Sequence, residues 1–218
     1  NSNAGFSIVK YNGQTTLQEI PHGLSAAPNM IIAKNISSSG KSWTVFHSSL
    51  GAGKILRLES SGAEITNDVF WGGTSNAPNA TTFSVGVNND TNAEGGSAYQ
   101  IIAYCFHDVA GYQKFGTYTG NGSSSGPSVT TGFKPDFIMI KRTDATEDWK
   151  VIDSRRGFAN SLEPNENIAE EAGNNSDFTF SSTGFQIGDT HGDYNANNGT
   201  YIYWAIAKNV PSNTTLAN

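Results

Sequence analysis

The chain has 218 residues and a mass of 23.2 kDa, is 36% hydrophobic and 15% charged, and carries a formal net charge of −6. That length suits one large all-β domain or two small ones, and a chain of this size buries roughly 70% of its unfolded surface without covalent staples. A single cysteine, Cys105, excludes a disulfide framework and a thiolate zinc site, and the acidic balance excludes the basic stripe that nucleic acid demands.

In chain order, GFSIVKY (5–11), NMIIAKN (29–35), SWTVFHSS (42–49), KILRLES (54–60), TTFSVGV (81–87) and AYQIIAYCF (98–106) read as short strands. They are rich in β-branched and aromatic residues and bounded by Gly, Asn, Pro or Ser. KILRLES alternates, with Ile55, Arg57 and Glu59 against Leu56, Leu58 and Ser60, which predicts one wet face. KFGTYTG (114–120), DFIMIKR (136–142), DWKVIDS (148–154), DFTFS (177–181), GFQIGD (184–189) and TYIYWAIAK (200–208) continue the series. NMIIAKN, DFIMIKR and TYIYWAIAK are apolar on both faces, as in strands covered on both sides or facing another subunit. One stretch, 155–173, has no strand pattern; Pro164 there opens a possible short helix, NENIAEEA (165–172). No run of 18 apolar residues exists, so no membrane insertion is expected, and the first ten residues lack the features of a signal peptide.

The strands repeat. PNMIIAKN at Pro28 aligns with PDFIMIKR at Pro135, SWTVFHSSLG at Ser42 with DWKVIDSRRG at Asp148, FSVG at Phe83 with FQIG at Phe185, and NAEGGS at Asn92 with NANNGT at Asn195. The landmarks keep their order, so we read two homologous halves, 1–111 and 112–218, making a jelly-roll-like, all-β sandwich with internal pseudo-symmetry, either as one compact sandwich unit or as two packed ones. Two sets of hairpin turns account for most of the 24 glycines and 23 asparagines.

IPHGLSAAPNMIIAKN, SWTVFHSSLG, the tract AYCFHDVAGYQKFGTYTGNG (103–122) and TYIYWAIAKNV together resemble a domain of marine bacteriophage tail-fibre and other virion structural proteins. The resemblance runs from about Gly5 to Val210. It implies a concanavalin-A-like (laminin-G-like) jelly roll, a place on the virion surface, other virion proteins as partners, and a homo-oligomer such as a trimer. It supplies no catalytic residues. His107 departs from the small residue that the resemblance leads one to expect in that strand.

Constellations for chemistry are sparse. GSSSG (122–126) matches the nucleophile-elbow pattern but lacks the strand–turn–helix context and reads as a turn. GAGK (51–54) has neither the leading Gly nor the Ser or Thr of a phosphate loop. His22, His47, His107 and His191 share no metal-ligand spacing and read as surface or satisfied strand histidines. Glu163, Glu166, Glu170 and Glu171 are the carboxylates open to a glycosidase reading; a solvated loop is the plainer one. Two loops pair across the repeat. NNDTNAEGG (88–96) spaces Asp90, Asn92 and Glu94 alternately, and DTHGDYNANNG (189–199) does the same with Asp193, Asn195 and Asn197. Calcium is one reading; a hairpin connection with left-handed Asn and Gly is the other, and no cofactor is required. Trp43 and Trp149 read as paired core residues, and Trp204 as core or subunit interface. Trp71, beside Gly72 and Gly73, is the candidate exposed ring. The expectation is thus a non-enzymatic particle-surface protein that binds host-surface glycans through Trp71, Asp90, Asn92, Asp193 and Asn195, or decorates the particle. A polysaccharide depolymerase and a purely structural shell or cement protein are the alternatives.

Overall fold

Alternating and two-faced apolar runs need a sheet on one side and cover on the other, and the protein satisfies them with antiparallel sheets throughout. A computed structural model describes residues 1–93, 99–172 and 178–209. Glu94, Asp177 and Val210, each named in the sequence reading, lie outside the described residues. The chain divides into two compact units: Asn1–Leu58 with Glu64–Asp108, and Glu59–Ala63 with 109–209.

The first unit contains β1 (Phe6–Asn12), β2 (Gln18–Pro21), β3 (Met30–Asn35), β4 (Trp43–His47), β5 (Lys54–Arg57), β6 (Ile65–Thr66), β7 (Thr82–Val85) and β8 (Gln100–Phe106). Its large sheet runs β1-β8-β3-β4-β5-β6 and its small sheet pairs β2 with β7. Between the layers lie Tyr11, Ile31, Phe46, Ile55, Ile101 and Ala103 from the large sheet, and Ile20, Phe83 and Val85 from the small one. The second unit contains β9 (Gln113–Thr119), β10 (Ser128–Thr130), β11 (Pro135–Arg142), β12 (Lys150–Asp153), β13 (Asn160–Leu162), β14 (Glu171–Ala172), β15 (Phe178–Ser181), β16 (Gly184–Ile187), the one-turn helix α1 (Gly192–Asn195) and β17 (Thr200–Ala207). Its large sheet runs β9-β17-β11-β12-β13-β14, the same path through the chain as in the first unit, and its small sheet, β10-β16-β15, has one strand more. Ile138, Ile140, Ile152, Tyr201, Tyr203, Phe178 and Phe185 fill its core.

Each unit is therefore a two-layer sandwich with an apolar interior, the fold class read from the strand pattern. Two local expectations fail. The 165–172 stretch is not a helix: its last residues form β14, which pairs antiparallel with β13 through Asn160–Ala172 and Ser161–Glu171. Neither face of β5 is wet, because Ile55 and Leu56 are both fully buried.

Candidate functional site

The loop residues singled out as ligand contacts turn out to be braces. Asn92 is fully buried; its Oδ1 accepts the Gln14 amide at 2.6 Å and its Nδ2 donates to Thr16 O at 2.9 Å and Val85 O at 3.2 Å. Asn195 does the same in the second unit: Oδ1 accepts the Asn121 amide at 2.8 Å, and Nδ2 donates to Ser123 O at 2.9 Å and to Asp189 O. Tyr11 and Tyr118 lock the same loops by donating to Thr91 O at 2.5 Å and Tyr194 O at 2.8 Å. Asp90 Oδ1 accepts the Ser42 amide and Asp193 Oδ1 the Asp148 amide, each at 3.2 Å. Buried backbone groups must be paired, and these side chains pair them. The amides that were to meet a sugar or calcium are spent inward, which corrects that reading for Asn92 and Asn195. Of the left-handed conformations expected in these loops, Asn198 has one, at φ 59°.

Trp71 is also a correction. It is fully buried, edge-on to Phe46 at 5.9 Å and to Phe83 at 6.3 Å, in the core of the first unit. Trp43 and Trp149 differ in environment: Trp43 is half-buried and stacked on Tyr104, whereas Trp149 is buried. Trp204 stacks on Phe115 at 5.7 Å and meets Phe137 edge-on at 5.4 Å. The histidines have structural partners. His22 Nδ1 accepts the Leu24 amide and its Nε2 faces Asn79 O at 3.0 Å, and burial holds its pKa below the ordinary histidine value.

The carboxylates of the divergent segment gather where sequence reasoning did not look, around Lys150. This lysine opens β12 with its side chain 3% exposed. Its Nζ contacts Glu163 Oε1, and lies 2.7 Å from Glu171 Oε2 and 3.1 Å from Asp193 Oδ2. Asp148, Glu163 and Asp193 bring carboxylate oxygens within 4.8 Å of one another; the Lys150 ammonium contacts Glu163 and Asp193, while Asp148 Oδ1 accepts Asn165 Nδ2 at 2.6 Å. Burial disfavours its charge, but hydrogen bonds to Glu163 and Glu171 and the nearby Asp193 outweigh that, so its pKa stands above the ordinary lysine value. The same contact holds the Glu171 carboxyl low. Glu147, by contrast, is pushed up by burial and by its hydrogen bond to Asp193. Glu170 pairs with Arg156 at 3.4 Å, and Glu166 sits in the exposed turn closed by its own amide on Glu163 O. The signal in the sequence was the Lys at 150 where the aligned first-half residue is Thr44.

The outer face of the small sheet of the second unit is an exposed polar surface. Ser128, Gln186 and Thr179 share one cross-strand rung, and Thr130, Gly184 and Ser181 share the next one pointing the same way. Strands about 4.8 Å apart set these groups on a regular grid. With Thr183 they line a shallow groove of about 250 Å³, and no lining residue is charged. A second groove, of about 300 Å³, lies among Lys134, Pro135, Asp136, Ser154, Phe158 and Lys208. Among the described residues no helix is long and apolar enough to cross a membrane.

No curated protein matches the chain. A solved structure titled "Crystal Structure of the STIV MCP" aligns with 92% of this chain and 85% of its own at 9% identity, with a TM-score of 0.22, too slight a likeness to argue from. A family model, by contrast, matches almost end to end. Over residues 1–210 the chain belongs to the family described as Domain of unknown function (DUF7483).

Proposed function

We propose that this protein is a non-enzymatic module of a virion surface, a tail-fibre or particle-decorating component that adheres to host-surface glycans through the hydroxyl-lined face of its second small sheet. The observation that carries the reading is that groove: Ser, Thr and Gln side chains on two rungs, uncharged and exposed to solvent. Hydroxyls and amides donate and accept, as sugar hydroxyls require, and a neutral face imposes no desolvation of buried charge on a neutral glycan. The sequence resemblance to phage tail-fibre and virion proteins supports the setting, and with it a jelly roll of the concanavalin-A-like kind, association with other virion proteins and a trimeric assembly. Against the depolymerase alternative, Glu163 and Glu171 are engaged by Lys150, and Glu170 by Arg156.

The test is a glycan array with the full chain and a Thr179→Ala/Ser181→Ala variant. Binding to a neutral glycan, lost in the variant while circular dichroism stays unchanged, is the expected result. Binding that survives the double substitution overturns the placement. Absence of binding to every glycan overturns adhesion and leaves a structural role in the particle. Shortened polysaccharide chains after incubation overturn the non-enzymatic reading.

A further inference from the structure

A lysine buried against three carboxylates calls for explanation, because an ammonium and its counter-ions withdrawn from water rarely repay their desolvation. The first unit does without this arrangement. Thr44 takes the place of Lys150, opposite Arg57 on β5, while Asp90 keeps the same backbone contact that Asp193 makes. What the second unit adds is an amine held against a carboxyl group. Lys150 Nζ is 3.1 Å from Asp193 Oδ2, and the side chains of Lys150, Glu163 and Asp193 are 3%, 7% and 4% exposed. The other Asp193 oxygen accepts the Asp148 amide at 3.2 Å, so negative charge growing on that oxygen meets a backbone donor already in place. Glu163 touches the same amine and stands ready to move its protons.

We propose that Lys150 and Asp193 become joined through an intramolecular isopeptide bond, with Glu163 as the proton carrier. Glu163 first transfers one ammonium proton to Asp193, converting the ion pair into a neutral amine beside a neutral carboxylic acid. The carboxylate contacts hold the ammonium charged at rest, and exclusion of water reduces the cost of passing through the neutral pair. The Nζ lone pair then attacks Cγ, forming the Nζ–Cγ bond and a tetrahedral centre whose Oδ1 is stabilised by the Asp148 amide. Glu163 takes a second proton from nitrogen and delivers it to the Asp193 hydroxyl; the Cγ–O bond breaks and one water leaves. The product is a secondary amide. Three nitrogen protons are accounted for as one amide hydrogen and two in the water, and nothing is oxidised or reduced. Holding amine and acid in contact replaces an encounter between separate molecules, which is where such a site gains its rate. The bond would tie β12 to α1, closing the chain between residues 150 and 193 and restricting its unfolded state.

Intact mass spectrometry of the folded full chain is the test. The expected mass is that of the sequence less one water, with a proteolytic branched peptide joining the segments around 150 and 193. Lys150→Arg keeps a cation without the amine and should restore the full mass, Asp193→Asn should lose ammonia in place of water, and Glu163→Gln should accumulate the unlinked form. A wild-type protein at full mass overturns the proposal, as does a water loss that maps to a succinimide or to any other pair of residues. The wild-type measurement decides the matter even where a variant fails to fold, and it is independent of whether the chain binds glycans.

Discussion

Asn92 and Asn195 show how one residue type can be read correctly for position and wrongly for purpose. Alternate Asp and Asn side chains suggested oxygen ligands, yet each asparagine meets three groups of its own backbone surroundings. Removing such a side chain leaves buried donors and acceptors unpaired, at about 1–3 kcal/mol each. Asn92→Ala and Asn195→Ala should therefore each lower stability by several kcal/mol, and by similar amounts, since the bonds correspond. Urea midpoints of the two variants check this; a near-neutral effect at either position would restore a ligand role there. Trp71 was misread for a related reason. Gly72 and Gly73 follow it with φ of 74° and 86°, so the glycines serve a left-handed turn that folds the ring inward rather than marking an exposed loop.

At the scale of elements, close approach decides more than propensity. A Cβ on Gly184 would lie 2.0 Å from Val129 O, although its φ is ordinary, so β16 and β10 can pair at this distance only with glycine there. Gly184→Ala should cost about 1–3 kcal/mol by overpacking and spread the hydroxyl-lined face, while Thr183→Ala beside it should be almost neutral. Thermal or urea unfolding of the two variants reads the difference, and equal effects would refute the account. Most strands were legible because a period of two, or a short two-faced apolar run, survives in any sandwich. The segment 165–172 was not. Its Ala and Glu residues favour a helix locally, but Lys150, 13 residues before Glu163 and 21 before Glu171, draws both carboxylates to β12 and turns the segment's end into β14. Contacts at that separation have no signature in a local window. The Lys150 cluster escaped for the same reason: its members come from β12, β14, the loop after β13 and α1, and only the fold assembles them.

For the molecule as a whole, the response to pH follows from which buried groups change charge on unfolding. Lys141 in β11 is fully buried, donating to Ser61 O at 3.1 Å and Arg142 O at 2.6 Å. Burial pulls its pKa down from 10.5 to about 8 despite the nearby Asp148, Glu147 and Asp193. Between those two values the unfolded chain binds a proton that the folded chain has released, so this lysine makes stability rise with pH across that window. Cys105 in β8 acts in the opposite sense. Burial pushes its thiol from 9.0 up to about 12, so above 9.0 the unfolded chain ionises first and stability falls. Lys150, whose pKa is raised while its amine is free, contributes a fall only above the ordinary lysine value in the unlinked chain, and nothing once its nitrogen is an amide. The separate effect of Lys141 is read by comparing wild type with Lys141→Met. The difference in urea midpoint should be flat below pH 8, shift in favour of the wild type from about 8 to 10.5, and level off beyond. A difference that stays constant through that window would mean that Lys141 keeps its proton in the folded protein, with the carbonyls of Ser61 and Arg142 and the surrounding carboxylates outweighing its burial.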